Sequence, residues 1–84
     1  MSDVKVIQFL KANYGEVHSI KPDLWVTLVN GKRTLFRLEY SGMLSMRVEL
    51  DNHRCEWVET PGWVDYLVAD RVREAEEFFA RGQV

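Results

Sequence analysis

Apolar positions recur at helical spacing near the start of the chain. This spacing predicts an amphipathic helix over residues 3–14, with Gly15 following as a natural C-terminal cap. The apolar positions of this helix are Val6, Ile7, Leu10 and Tyr14. A stripe of this kind is typical of a helix that lies on a sheet.

The middle of the chain alternates apolar and polar residues, and turn sequences divide it into strands. Asn30-Gly31 predicts a type I′ hairpin between residues 24–29 and 32–39, because both central residues of that turn need positive φ. Tyr40-Ser41-Gly42 predicts a three-residue loop that ends in a left-handed glycine. The pairs expected across these two turns are Trp25–Phe36, Thr27–Thr34, Leu38–Leu44 and Phe36–Met46.

Asp51-Asn52 is interpreted as a two-residue turn between the last two predicted strands. This turn makes both faces of the hairpin chemically consistent, since apolar residues oppose each other on one face and opposite charges on the other. The resulting pairs are Val48–Cys55, Met46–Trp57, Glu49–Arg54 and Arg47–Glu56.

The second helix is predicted from Thr60-Pro61, a capping residue followed by proline at the first helical position, to about Arg81. At about 100° per residue, its apolar side chains gather on one side of the helix. We expect this stripe to pack on the sheet. Its members are Val64, Leu67, Val68, Val72, Ala75, Phe78 and Phe79.

These elements predict a single α+β domain over residues 1–84: an N-terminal helix, an antiparallel meander of four or five strands and a C-terminal helix, in two layers. The fifth strand is residues 16–21, a short segment that we interpret as an edge strand. Both helices are expected on one face of the sheet, which leaves the other face open. The predicted core face carries Trp25, Phe36, Leu38, Leu44, Met46, Val48, Leu50, Cys55 and Trp57.

The open sheet face is the predicted partner-binding surface. Aliphatic side chains on a face that meets water indicate a contact surface, and arginines beside them favour an acidic partner. These residues are Leu24, Val26, Leu28, Leu35, Arg33, Arg37, Arg47 and Arg54. The alternative is that a helix or the 16–21 segment folds over the aliphatic residues. Trp63 and Tyr66 point away from the stripe of the second helix, so they either bind a partner or pack on the end of the sheet.

The charge balance does not predict a nucleic-acid or membrane partner. Eleven basic and thirteen acidic residues give a formal net charge of −2, which is too small for long-range attraction to phosphates. No apolar run approaches the about 20 residues that a membrane span needs. The single cysteine excludes an intramolecular disulfide, and the N-terminus lacks a signal-peptide pattern, so we expect a cytoplasmic protein.

Candidate chemistry is sparse. His53 and Cys55 share a strand face, but side chains two residues apart on a strand are about 7 Å apart, too far for an easy thiol–imidazole hydrogen bond. Cys55 is therefore interpreted as a small buried hydrophobe, and His18 as a surface or edge-strand residue. The sequence has no phosphate loop, catalytic triad or complete set of metal ligands, so we predict no enzyme activity, metal or cofactor. Arg71 interrupts the apolar stripe and needs either a carboxylate partner or a route to water.

The sequence therefore favours a small protein-interaction module that acts as a regulator, adaptor or inhibitor of another protein. The predicted contact is the open sheet face, the C-terminal helix, or both. The partner is expected to be another protein, with a second copy of this chain as one option. The alternative is a nucleic-acid-associated factor that uses the arginines of the sheet face.

Overall fold

The computed structural model describes residues 2–50 and 54–82, and confirms the predicted α+β architecture. The strands form one antiparallel sheet in the order β1-β2-β3-β4-β5, a meander in which each strand pairs with the next. The elements are α1 (Ser2–Tyr14), β1 (Val17–Lys21), β2 (Leu24–Val29), β3 (Lys32–Leu38), β4 (Leu44–Glu49), β5 (Cys55–Glu59) and α2 (Trp63–Gly82).

The turns between β2 and β4 follow the sequence prediction because their residues supply the required backbone conformations. Asn30 and Gly31 have φ values of 53° and 80°, which are the positive angles of a type I′ turn. Gly42 has φ 95° and ends the loop closed by the hydrogen bond from the Glu39 amide to the Met43 carbonyl. All four pairs expected across these turns are confirmed: Trp25–Phe36, Thr27–Thr34, Leu38–Leu44 and Phe36–Met46.

The predicted register between β4 and β5 is wrong by one residue. The Leu50 amide donates to the Arg54 carbonyl, so the connection is one residue longer than a two-residue turn. Asp51, Asn52 and His53 themselves lie outside the described residues. The observed pairs are Met46–Val58, Arg47–Trp57, Val48–Glu56 and Glu49–Cys55. The predicted register, which rested on apolar pairs on one face and opposite-charge pairs on the other, is replaced by one that pairs Met46 with Val58 on the core face.

The shift moves side chains between the faces of β5. Trp57 lies opposite Arg47 on the open face, and Cys55 is exposed opposite Glu49, so the prediction that both belong to the core is wrong. Leu50 follows the strand and is 43% exposed, which also corrects its predicted burial. The physical reason is local: Asp51-Asn52 lacks the glycine that makes Asn30-Gly31 a strong two-residue turn.

The core lies between α1 and one face of the sheet. Its fully buried members are Val6, Phe9, Leu10, Trp25, Phe36, Leu44 and Trp63. Leu38 and Met46 pack against this cluster, as predicted. The other sheet face has no helix over it within residues 2–50 and 54–82, and Leu28 on that face is 57% exposed.

The start of α2 differs from the prediction. Thr60, Pro61 and Gly62 form a tight turn, in which Gly62 has φ 83° and the Trp63 amide donates to the Thr60 carbonyl at 3.2 Å. Proline followed by a positive-φ glycine is the sequence of a type II turn. Thr60 is therefore not the helix cap. Its amide instead donates to the Leu44 carbonyl and extends the sheet.

Candidate functional site

One face of α2 attaches the helix to the rest of the domain. Trp63 is 1% exposed, and its indole Nε1 donates to the Gly42 carbonyl at 2.9 Å. The Phe9 ring contacts Trp63 edge-on, with ring centroids 5.2 Å apart. It also contacts the Tyr66 ring in a tilted arrangement, with centroids 5.4 Å apart. Of the two alternatives for Trp63 and Tyr66, the structure therefore has the packed one. Trp63 is buried and Tyr66 is half-buried against α1.

An ion cluster continues this attachment one turn further along α2. Lys5 Nζ lies 2.5 Å from Asp70 Oδ2 and 3.3 Å from Glu74 Oε1, and Arg73 pairs with Asp70 from within α2. Hydrogen bonding to Asp70 raises the pKa of Lys5 above its ordinary value, with Glu74 contributing less. Hydrogen bonding to Lys5 lowers the pKa of Asp70, although burial of the carboxylate opposes that change. The ionised pair therefore holds the two helices together.

The opposite side of α2 carries an exposed apolar surface, which we call the outer stripe. The valines and phenylalanines of the outer stripe are between 41% and 66% exposed. Its members are Val64, Val68, Val72, Ala75, Phe78 and Phe79. The prediction that this stripe packs on the sheet is wrong, except at Leu67, which contacts the core. The side of α2 that packs on α1 and the core, which we call the docked side, carries Trp63, Tyr66 and Asp70 instead. The outer stripe faces away from the core.

The C-terminal half of α2 extends beyond the body of the domain. Every residue from Arg71 to Gly82 is exposed. Within the described ranges, the cross-helix ion pair furthest along α2 is that of Glu74 with Lys5. Residues 75–82 extend the helix by about 12 Å beyond that contact, at about 1.5 Å per residue. This projection contributes to the elongated shape of 60 × 22 × 21 Å.

The open sheet face is less apolar at its surface than the sequence predicted. Leu24, Val26 and Leu35 are half-buried by their neighbours, and only Leu28 of the four predicted aliphatic residues is strongly exposed. Ile20 of β1, which is 52% exposed, was not predicted as part of this surface. A shallow concavity of about 680 Å³ on this face is lined by His18, Ile20, Val26, Leu28, Arg33 and Leu35, but not by Leu24.

Of the predicted contact arginines on the open face, Arg37 has side-chain partners on the same face within the described residues. The Arg37 guanidinium lies 4.2 Å from the centre of the Trp57 ring, and Arg37 Nη2 is 3.5 Å from Glu39 Oε1. Arg47 is exposed and opposes Trp57 on β5. Arg54 precedes β5 and is exposed; the register shift separates it from the predicted partner Glu49.

Two contact residues were missed by the sequence prediction for different reasons. Trp57 was assigned to the core because of the incorrect register. Ile20 belongs to a short strand whose alternation places Val17 toward the core and His18 outward, opposite Val26. Had the 16–21 segment been paired explicitly with β2, the alternation would have indicated Ile20.

The titratable side chains of residues 2–50 and 54–82 include one exposed histidine–glutamate pair but no group of metal ligands. His18 Nε2 lies 3.1 Å from Glu16 Oε1, with both side chains more than 60% exposed. No group of three His, Cys, Asp or Glu residues that could bind a metal occurs in these ranges. Within the same residues, neither helix combines the length and apolar character that crossing a membrane requires.

Comparison with known proteins finds no matching family model, no matching curated protein and no matching solved structure. The geometry of the chain is therefore the basis for its functional interpretation.

Proposed function

We propose that this protein is a non-catalytic interaction module that binds another protein through the outer stripe of α2. The observation that carries the proposal is the exposure of Val68, Val72, Phe78 and Phe79 along one side of a helix that is firmly docked by its opposite side. Apolar side chains of this size that line up on one face mark a contact surface, since each would gain free energy by leaving water. A protein with this surface acts as a regulator, adaptor or inhibitor of its partner.

The fold does not account for the outer stripe. Trp63 and Asp70 fix the rotation of α2 about its own axis, because one is buried in the core and the other is paired with Lys5. Turning Val68 or Val72 toward the sheet would break both contacts. The stripe is therefore available to a partner without any rearrangement of the domain.

The open sheet face offers a second, smaller contact surface. Ile20 and Leu28 are the strongly exposed aliphatic residues of its concavity, and Arg33 lies beside them. The aliphatic residues would contribute desolvation, while the arginine would favour an acidic partner surface. We place this face second because the half-buried residues around it already contact one another.

The proposal is tested by comparing a double variant in the outer stripe with a single control variant at a similarly exposed apolar residue. Val68→Ser/Val72→Ser changes the outer stripe, whereas the control Val4→Ser changes a residue on α1 that is 55% exposed. Serine and valine have similar helix propensities, so both variants should remain folded. Light scattering measures self-association, and affinity capture from the native host measures other partners. We expect the stripe variant to lose its associations and the control to keep them.

Unchanged self-association and unchanged capture in Val68→Ser/Val72→Ser would overturn the proposal. Leu28→Ser/Leu35→Ser tests the sheet face in the same assays. If only that variant lost binding, the contact surface would be the sheet and not the stripe. Circular dichroism of every variant establishes that the comparison is made between folded proteins.

A nucleic-acid-associated role is the second candidate, and the position of Trp57 favours it. The β5 register places this aromatic ring on the open face beside Arg37 and Arg47, where a base could stack and phosphates could pair. Binding of single-stranded nucleic acid that falls steeply with salt, and is lost in Arg37→Glu/Arg47→Glu, would support this role. Absence of binding at low salt would exclude it.

A further inference from the structure

We infer that the partner of the outer stripe is a second copy of this chain, and that two α2 helices pair side by side in the same direction. This inference rests on the proposed function and adds the identity and orientation of the occupant. It follows from three features of α2: the spacing of the stripe, its position relative to the docked face, and the charges beside it.

The spacing of the outer stripe is that of a two-stranded coiled coil. Val68, Val72, Ala75 and Phe79 follow one another at the alternating intervals of a heptad pattern, with Val68 and Ala75 at d positions and Val72 and Phe79 at a positions. All four are exposed. These four a and d residues form an apolar seam along the helix. Phe78 and Val64 fall at g positions and widen this seam on one side.

The docked face leaves room for a second copy. In the same heptad assignment, Trp63 and Asp70 occupy f positions, which lie on the side of a helix opposite the a/d seam. Because these residues attach α2 to α1 and the core, each domain body lies on the far side of its own helix. Two copies can therefore bring their seams together while their sheets remain apart.

The charges beside the seam select a second copy and set its direction. Arg71 is at a g position and Glu76 at the following e position, and neither forms an ion pair within residues 2–50 and 54–82. In a parallel pair, Arg71 of each copy meets Glu76 of the other, which gives two opposite-charge contacts by symmetry. In an antiparallel pair, e faces e and g faces g, so neither contact forms. Arg71 is exposed and therefore already reaches water within its own chain, and the partner copy would add the opposite charge that it lacks there.

The first experiment follows dimerisation of the full chain by analytical ultracentrifugation over a concentration series. Arg71→Glu and Glu76→Arg each replace both attractive contacts by repulsive ones, and each should weaken the homodimer by about tenfold or more. Mixing the two variants restores opposite charges at both contacts, so we expect a heterodimer. The double variant Arg71→Glu/Glu76→Arg should again form a homodimer. Glu77→Gln, a change on the docked side of the helix, serves as the control.

The second experiment measures orientation. In a Cys55→Ser background, Ala75→Cys places one thiol at the seam of each copy, and a parallel dimer brings the two thiols together. We expect a disulfide-linked dimer on mild oxidation, because residues at the same d position face each other only in the parallel, in-register pair. Cys55→Ser with Glu77→Cys is the matched control and should not cross-link.

Each other outcome overturns the inference. A wild-type chain that stays monomeric over the whole concentration series excludes self-pairing. If Val68→Ser/Val72→Ser abolishes capture of a different protein, the proposed function survives, but the occupant of the outer stripe is that protein and not a second copy. If this double variant changes neither self-association nor capture, the proposed function and the self-pairing inference both fail. A dimer that ignores the charge exchange, or that does not cross-link through Ala75→Cys, pairs by another surface.

Discussion

Asp70 connects the two helices by charge, because its carboxylate is 6% exposed and lies between Lys5 and Arg73. An ionised carboxylate in such a position is stable only while it is paired with a cation. The stripe pattern of the sequence gives no sign of this role, since Asp70 looks like one of several acidic residues on the polar side of α2. The contact of Asp70 with Lys5 depends on how α1 and α2 pack against each other, which the pattern of α2 alone does not show.

Asp70→Asn should reduce the free energy of unfolding at neutral pH, with a pH dependence set by the two pKa changes. The pKa of Asp70 lies below its ordinary value of 3.8, so its stabilisation is present above that pH and is lost as pH falls through the lowered pKa. The pKa of Lys5 lies above 10.5, so its stabilisation is present below that pH and is lost as pH rises through the raised pKa.

Urea unfolding of wild type and Asp70→Asn over a pH series measures this dependence. The difference between the two proteins should be constant between about pH 4 and pH 10 and should shrink on either side. Glu77→Gln, an exposed change further along α2, is the control and should show no such profile. A difference that persists undiminished into acid would contradict the ion-pair role.

Trp63 is the second residue on which α2 depends, and its two contacts can be separated by substitution. Trp63→Ala removes ring packing and should lower the free energy of unfolding by about 3–5 kcal/mol. Trp63→Phe keeps an aromatic ring against Phe9 but leaves the Gly42 carbonyl without its donor, which should cost about 1–3 kcal/mol. Chemical denaturation measures both. Phe78→Ala, at an exposed aromatic of the same helix, should stay within about 0.5 kcal/mol of wild type when measured on the monomer.

Among the strands, the β4–β5 hairpin shows that one additional residue in the connection changes which side chains of β5 lie on each face of the sheet. Apolar pairs on one face and opposite-charge pairs on the other favoured the shorter turn, but charge pairs on an exposed face contribute only a few tenths of a kcal/mol each. The observed register pairs Met46 with Val58 and brings Trp57 over Arg37. The cation–π contact of Arg37 with Trp57 replaces the exposed ion pairs of the shorter turn, and the longer connection does not need the glycine that a strong two-residue turn requires.

The register predicts where an engineered disulfide can form with the native thiol. Glu49 is directly opposite Cys55, whereas Val48 opposes Glu56 and points to the other face. Glu49→Cys should therefore form an intramolecular disulfide on mild oxidation, since directly opposed residues fall within disulfide distance. Labelling of free thiols in the denatured chain measures the bond. Val48→Cys is the control, and a disulfide there in place of the Glu49→Cys bond would restore the shorter turn.

At the scale of the whole molecule, the chain is extended for its size. Its radius of gyration is 15.3 Å, against about 12 Å for a compact domain of this length. The excess comes with a C-terminal helical half that is exposed on every residue from Arg71 to Gly82. Local contacts are few in that half, so its stability should differ from that of the sheet.

Hydrogen exchange should divide α2 into two parts. Amides of the docked turns, near Trp63 and Asp70, should exchange with the protection of the sheet, while residues 75–82 should exchange much faster at low protein concentration. Raising the concentration should slow exchange in residues 75–82 alone, because dimerisation covers them. Protection that is uniform to Gly82 at the lowest concentration would show that another contact covers the end of the helix.

The sequence by itself determined the features that depend on a few neighbouring residues. Asn30-Gly31 and Gly42 specify their turns because only certain residues adopt positive φ easily, and those turns fix the register of β2, β3 and β4. The spacing of apolar residues likewise identified both helices and the stripe of α2.

Only the tertiary structure decided which face of α2 is buried. The apolar pattern of a helix shows that a face would gain from leaving water, but what covers it depends on surfaces far away in the chain. Here Phe9 and Lys5 of α1 receive Trp63 and Asp70, so the docked side is a mixed aromatic and charged face. The more apolar stripe is left exposed, because one narrow helix cannot bury both of its opposite sides against a single layer.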